Sequence, residues 1–314
     1  MIDGSEVAEV FGEQSRTRWE KRTVQRVEFD IEVGGMLYAY TLRVEDSKIQ
    51  SERVIHEGRT LFSFQDGEVQ LHNNEGQPGA TFAFRGTRSF LAQIEDRVET
   101  KDLMKFLNFL TGVWHLSLDA RQASSFSEQE DRFLASSGHN FPSWYRHLTQ
   151  QYPERMDELR DDLKKVIPGF RTLKLESTGV RAARELVALL TASGNQYSVG
   201  YHELSDGQRG LILLYTILHG MDRSACILLD EPEAHVGLSE VQPWLVRLDE
   251  RFESQGQVFI ISHHPEVIDY LAAGSAWLFE RPDGAATRPP KPLLCDRESG
   301  LSASQQISRG LFRG

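Results

Sequence analysis

The sequence predicts an α/β fold built from three successive regions. Between Val24 and about Phe84, apolar and polar residues alternate with a period of two. Residues 88–166 switch to helical spacing. The last third alternates short continuous apolar runs with amphipathic stretches. Period-two alternation marks an antiparallel sheet with one wet face, whereas continuous apolar runs separated by helices mark strands buried on both faces of a parallel sheet.

Residues 1–23 are polar and weakly patterned. Val24–Val33 then alternates, Gly34-Gly35 signals a two-residue hairpin, and Met36–Val44 is the return strand. Two further strands flank Gly58, and Asp66-Gly67 separates Leu61–Phe64 from Val69–Leu71. Leu103, Phe106, Leu107 and Leu110 form one helical stripe, and Glu154–Lys165 is a charged helix stopped by Pro168-Gly169. Arg171–Glu176 and Glu185–Thr191 read as strands, and Gln208–Met221 as a helix. Cys226–Leu229, Val258–Ile261 and Ala276–Phe279 are the apolar runs of the last third. Val241, Trp244, Leu245, Leu248 and Phe252 form a helix between the first two, in which Pro243 is tolerated only in the first turn. A second helix begins near Pro265, so the order β-α-β-α-β predicts a parallel sheet with right-handed crossovers. The expected organisation is an irregular segment 1–23, an antiparallel lobe 24–87, a helical insert 88–170, an α/β core 171–285 and a loose tail 286–314 rich in Pro, Gly, Ser and Arg.

With 39% hydrophobic and 26% charged residues, the 314-residue chain can bury an ordinary core. It has no run of 18 apolar residues, and its N-terminus is neither basic nor apolar, so no membrane span or signal peptide is read. Cys226 and Cys295 are too few for a disulfide framework, and a cytoplasmic location is the natural inference. The net charge of −11 argues against a broadly basic nucleic-acid surface. Arg16, Arg18, Lys21, Arg22 and Arg26 cluster locally, and a solvated face is the simpler reading.

Three motifs carry chemistry. Asp230-Glu231 ends an apolar strand, where ligands of open parallel sheets sit. A carboxylate at Asp230 can hold Mg²⁺ through water, and Glu231 can orient and deprotonate an attacking water; the bland alternative is an acidic turn. Ser205-Asp206-Gly207-Gln208 opens a helix about twenty residues earlier. Ser205 is a good N-cap, and its hydroxyl, the Gly207 amide and the helix terminus form an anion site; the alternative is a plain capped helix. Ser262-His263-His264 follows the next strand, where an imidazole can contact a γ-phosphate. His263 is the candidate, and His264 reads as structural. No Cys/His set implies zinc.

Leu204-Ser205-Asp206-Gly207-Gln208 resembles the ABC signature, Ile227–Glu233 resembles Walker B with its catalytic Glu, and Ser262-His263 resembles the switch histidine. Glu233–Leu238 resembles the stretch that faces the partner subunit in such heads, and Ser137–Trp144 resembles a Gly-x-Asn element of the same group. The resemblance, over roughly residues 24–285, is to bacterial ABC-type ATPase heads related to RecF, SMC and OLD proteins, including the AAA domain group named for the AbiEii toxin. It implies a P-loop-NTPase-like head with a parallel-sheet core, antiparallel meander lobe and helical insert. It also implies ATP and Mg²⁺ as cofactors and a homodimer sandwiching ATP between heads. Asp230 would then support Mg²⁺, and Glu231 and His263 would be catalytic. Ser205, Gly207 and Gln208 would meet the γ-phosphate in trans.

The pattern departs in two places. Asp206 stands where a second glycine is common. The 314 residues also contain no G-x-x-x-x-G-K-[ST] phosphate loop, so the first strand, loop and following helix of the pattern are missing. A misplaced start or truncation is the favoured account, with a partner-supplied loop or a degenerate head as alternatives. The expected function is ATP hydrolysis coupled to head dimerisation, in phage defence, toxin–antitoxin activity or DNA repair, with the chain alone inactive. A nuclease or toxin is the expected partner, and DNA is a partner that the net charge does not indicate. The alternative is a non-hydrolysing module that recognises a protein or DNA.

Overall fold

Four successive turns of the N-terminal lobe share one physical cause. Gly34-Gly35, Asp46-Ser47, Glu57-Gly58 and Asp66-Gly67 each place two residues at positive φ, the conformation whose twist matches the strands that a two-residue hairpin joins. After a short helix α1 (Val7–Val10), they connect β1 (Gln25–Val33), β2 (Met36–Glu45), β3 (Lys48–His56), β4 (Arg59–Gln65) and β5 (Glu68–His72). With β6 (Pro78–Ala83) these make a six-stranded antiparallel meander in sequence order. The computed structural model describes residues 4–16, 23–179, 182–253, 255–272, 276–281, 287–288 and 290–311. Of the basic N-terminal cluster, Arg18, Lys21 and Arg22 lie outside the described residues, and Arg26 pairs with Glu28 on an exposed face.

The chain divides into two units, Met1–Gly112 and Val113–Gly314. In the first, Tyr38, Tyr40, Leu42 and Val44 alternate onto the dry face of the meander. Helix α2 (Lys101–Thr111) covers them with Leu103, Phe106 and Leu107. Phe106 lies 5.8 Å from the rings of both Tyr38 and Tyr40, and each such buried side chain contributes about 1.5–3 kcal/mol. The helix whose spacing assigned it to the insert therefore packs with the lobe.

The second unit contains β7 (Val113–Leu116), β8 (Phe126–Ser127), α3 (Phe141–Gln151), α4 (Pro153–Val166), β9 (Phe170–Ser177), β10 (Arg184–Ala192) and β11 (Asn195–Gly200). It continues through α5 (Asp206–Gly220), β12 (Cys226–Asp230), α6 (Leu238–Phe252), β13 (Gln257–Ile261), α7 (Pro265–Leu271), β14 (Trp277–Leu278), β15 (Lys291–Pro292) and α8 (Ala303–Ser308). Residues Gly210–His219 of α5 are buried without exception, as expected of a helix at the centre of a core rather than on its surface. Strands β8–β11 form an antiparallel sheet, and β13-β12-β7 form a parallel one. Gly169 ends the α4–β9 turn at φ +75°, and a Cβ there would lie 2.3 Å from the Thr191 carbonyl oxygen, so only glycine fits. In the Gly-x-Asn element, Asn140 accepts from the Ala135 amide (2.8 Å) and donates to the Phe133 carbonyl (2.9 Å), pinning the loop before α3.

Three expectations need correction. The run Ala276–Phe279 does not join the parallel sheet. Its core, β14, pairs antiparallel with β15, leaving Trp277 and Phe279 exposed, and the third parallel place is taken by β7 from the segment read as helical. A four-residue strand interrupted by His115 has too few residues for periodicity to decide. Pro243 is the sixth residue of α6, beyond the first turn. It lies on the exposed face, as does Ser239, so water can reach the carbonyl that a proline leaves without a donor. The tail is not uniformly loose. Ser304 donates through its amide (2.7 Å) and hydroxyl (2.8 Å) to Asp269 of α7, and Gln306 is buried in bonds to Asp296, Ser299 and Leu301. Among the described residues no helix is long and apolar enough to cross a membrane.

Candidate functional site

Strands β12 and β13 run parallel in the register Asp230↔Ile261, and Leu116 of β7 lies opposite Leu229. Cys226, Ile227 and Leu229 of β12 are buried, whereas β13, expected to be buried on both faces, leaves Phe259 and Ile261 exposed. Parallel register brings the residues that follow each strand to one level. The Glu231 amide adds one more rung by donating to the Ile261 carbonyl (2.8 Å). There the chain turns sharply, with Glu231 in the left-handed region at φ +46°. Its carboxylate meets His263 Nδ1 at 2.9 Å, and both side chains are mostly in solvent, at 51% and 81% exposure. Asp230 is half-buried beside them. Glu231 and His263, 32 positions apart in the sequence, are thus brought into contact.

A residue that sequence reasoning passed over holds this arrangement in place. Glu233 is buried, its Oε1 accepts from the Ser262 hydroxyl, and its Oε2 has no hydrogen-bond partner among the described residues. Ser262 Oγ in turn accepts from the His264 amide (3.0 Å). The turn after β12 and the loop after β13 are therefore joined twice, through Glu231–His263 outside and Glu233–Ser262 inside. The stretch 233–238, expected to face a partner, is mixed: Ala234, His235 and Gly237 are exposed, while Glu233 and Val236 are buried. The only sequence signal for Glu233 is a carboxylate just after Pro232, which is too common to single it out.

Ser205, Gly207 and Gln208, at the start of α5, form a second cluster. Ser205 is exposed and caps α5. Its Oγ accepts from the Gln208 amide (3.2 Å), and Gln208 Oε1 accepts from the Ser205 amide (3.2 Å). This reciprocal capping box satisfies two donors of the helix start and engages the side chains of both Ser205 and Gln208 within the motif. The Asp206 and Gly207 amides, in the first turn, have no intrahelical acceptor. Gly207 has a packing role as well, since a Cβ would stand 3.2 Å from the His235 carbonyl oxygen. Gly210 likewise faces Val236 Cγ2, which would lie 3.1 Å from a Cβ. The start of α5 thus rests directly on the turn that carries Glu231 and Glu233.

Among the described residues, no group of three His, Cys, Asp or Glu side chains could cage a metal ion. The half-buried Asp230 with Glu231 beside it fits a different kind of cation site, one completed by water and phosphate oxygens, as Mg²⁺ prefers.

The sequence profile of the family described as "AAA domain, putative AbiEii toxin, Type IV TA system" matches residues 27–269. The chain belongs to this family. The match spans both units of this AAA-domain chain and includes residues 204–208, 227–233 and 262–263. No curated protein matches it. Among solved structures, it is similar to one from work on ATP-driven dimerisation and DNA-stimulated activation of SMC ATPases (15% identity, 53% of this chain and 94% of that one, TM-score 0.38). A second is an Smc head bound to the C-winged helix domain of ScpA (13% identity, 82% and 74%, TM-score 0.46). A third is an Smc head domain with coiled coil and joint from Pyrococcus yayanosii (18% identity, 55% and 31%, TM-score 0.39).

Proposed function

We propose that the chain supplies the Walker B, switch and signature elements of an ATP-hydrolysing head that works as a dimer. The observation that carries this reading is the Glu231–His263 contact at the carboxyl end of the parallel sheet. A general base must be reachable by solvent and oriented by a neighbour, and the exposed Glu231, held by His263 and set by the left-handed turn, meets both demands. Asp230 would hold Mg²⁺ through water, and the bound ion would neutralise phosphate charge. Glu231 would accept the proton of a water molecule, and His263 would hold the carboxylate until its ring turns to another acceptor. The exposure of Ser205 supports contact with a second head, and Gly207 and Gln208 would act with it on the γ-phosphate bound by that head. In keeping with the family description, a toxin–antitoxin or phage-defence role follows, with a protein or nucleic-acid client.

The competing reading, a module that recognises a partner without hydrolysis, has one observation in its favour. The Ser205 and Gln208 side chains already satisfy each other, as they would in a helix cap with no further task.

The test is ATP turnover by the chain with a P-loop segment supplied in cis or by a partner chain. Glu231→Gln keeps the size and hydrogen bonding of the side chain and removes the base. Phosphate release should fall by roughly 10²–10⁴-fold, ATP binding should persist, and the ATP-bound dimer should accumulate in light scattering. Unchanged turnover in a sample free of contaminating ATPase would return Asp230-Glu231 to a strand-end turn.

A further inference from the structure

At the amino end of the parallel strands, about 13 Å of strand away from Asp230, lies a polar cavity of about 390 Å³ that no part of the proposed ATP chemistry uses. It is lined by Arg155 and Glu158 of α4, Asp222, Arg223 and Ser224 before β12, and Arg251 and Gln255 at the end of α6. Three guanidinium groups thus converge on one cavity against two carboxylates, in a chain whose net charge is −11. We propose that this cavity is a binding site for a small phosphate dianion, either inorganic phosphate or the terminal phosphate of a nucleotide.

The three arginines differ in how they are held, and the difference suits such a ligand. Arg251 Nη2 donates to the His219 and Met221 carbonyls (3.3 and 3.4 Å), fixing the guanidinium at the end of α5, and its buried Nε has no acceptor among the described residues. Arg155 stacks over Tyr152, 4.4 Å from the ring centroid, and donates to Asp222 (2.9 Å), while its buried Nη1 has no acceptor among the described residues. Arg223 is exposed and makes no ion pair among the described residues. Of the two carboxylates, Asp222 is already engaged by Arg155. Glu158 lies 3.5 Å from His219 Nδ1. Burial, and then the positive charges of Arg223 and Arg155, pull the Arg251 guanidinium below its ordinary value. Burial is the larger cause, and Glu158 and Asp222 offset part of the repulsion between the arginines. Planar guanidinium forks match phosphate oxygens in pairs, and Ser224 and Gln255 add neutral donors at the rim.

The inference does not rest on the ATPase reading, and it is tested on the chain as it stands. Calorimetric titration with inorganic phosphate at constant ionic strength, chloride replacing phosphate in the control, should show saturable binding in the roughly millimolar range. Arg223→Ala, at an exposed position with no packing role, should weaken binding at least about ten-fold. Arg223→Lys should recover only part of it, because a point charge replaces a fork. Ser205→Ala should leave the affinity unchanged, which separates this cavity from the start of α5. A parallel titration with AMP and with adenosine distinguishes the sources. AMP binding more tightly than phosphate, with adenosine silent, points to a nucleotide; equal affinities point to free phosphate; both keep the site. Binding that is absent up to about 20 mM phosphate, that chloride reproduces, or that survives Arg223→Ala unchanged overturns it.

Discussion

Asp162 is a buried carboxylate that joins three helices of the second unit, and replacing it by Asn isolates its charge. It lies buried on α4 and accepts from Arg247 of α6 (2.9 and 3.0 Å), Lys165 (2.8 Å) and His219 Nε2 of α5 (3.0 Å). Three helices therefore meet on one carboxylate. Burial lowers His219 below its ordinary value, against the pull of Asp162. The ring is thus neutral near pH 7, with its Nε2–H directed at Asp162. Arg247 and Lys165 are 45% and 67% exposed, so each remains hydrated when its partner goes and each contact is worth about 0–1 kcal/mol. The buried bond from His219 falls from charge-assisted to neutral strength, a loss of about 1–1.5 kcal/mol. With the new amide group turned toward Arg247 as a donor facing donors, Asp162→Asn should cost about 2–3 kcal/mol. That is roughly 4–12 °C in the melting temperature of a unit this size.

The pH dependence gives a second check. Burial alone would push the Asp162 carboxyl up, but the hydrogen bonds from Arg247, Lys165 and His219 outweigh it and hold the group at about 2. An acid whose folded value lies below its unfolded value of about 3.9 stabilises the fold above the unfolded value and stops doing so as pH falls through the folded one. The difference between wild type and Asp162→Asn should therefore be full at pH 5–7 and shrink between about pH 4 and pH 2. Tryptophan fluorescence is a suitable readout, since Trp114, Trp144, Trp244 and Trp277, four of the five tryptophans, lie in this unit. A difference below about 0.5 kcal/mol, or one that does not change with pH, would show that the Asp162 charge does not hold the three helices together.

Two further outcomes are expected. In the first unit, burial pushes the Glu52 carboxyl up, against hydrogen bonds from Tyr40 and Ser89 that pull it down. An acid raised in the folded state costs stability as pH rises above its unfolded value. Glu52→Gln should thus stabilise the lobe in urea melts at pH 7–8 and have little effect near pH 4, and destabilisation at pH 8 would contradict this. In the second unit, Glu233→Ala should free Ser262 and speed hydrogen exchange of the His264 amide about ten-fold. Unchanged protection by mass spectrometry or NMR would show that Glu233 does not hold the loop.

What could be read from the sequence, and what could not, follows the range of the forces involved. The hairpins were legible at Gly34-Gly35 and Asp66-Gly67 because turn chemistry is local. Asp46-Ser47 makes the same turn with no glycine, and its composition does not announce it. The turn after β12 and the loop after β13 were legible because each follows a continuous apolar run that reads as a strand of a parallel sheet, although β13 leaves Phe259 and Ile261 exposed. Their register, and with it the Glu231–His263 contact, follows from parallel pairing. Strand β7 was missed because four residues carry no period. Ser262–Glu233 and the Asp162 cluster were missed because each joins elements through a side-chain contact between residues far apart in the sequence.

The backbone of the candidate site gives an independent reason to look there. Among the described residues, seven that are not glycine have positive φ. Asp46, Ser47, Glu57, Asp66 and Ser193 lie in two-residue turns between paired strands, where that conformation is required. The other two are Glu231 (φ +46°) and His235 (φ +73°), which bracket the turn after β12. A left-handed residue with a Cβ costs roughly 1–2 kcal/mol, and no hairpin geometry demands it here. Such strain is kept where the surroundings fix it and where the side chain has a task. Glycine at 231 would relieve it and alanine would not, while both delete the carboxylate and the contact to His263. Glu231→Gly should therefore be more stable than Glu231→Ala by about 1 kcal/mol, the reverse of the order expected at an ordinary position, and both should be equally inactive once a P-loop segment is supplied. Chemical melts of the two variants decide it. If alanine proved the more stable, the turn would not be strained at Glu231, and the backbone would no longer support a functional carboxylate there.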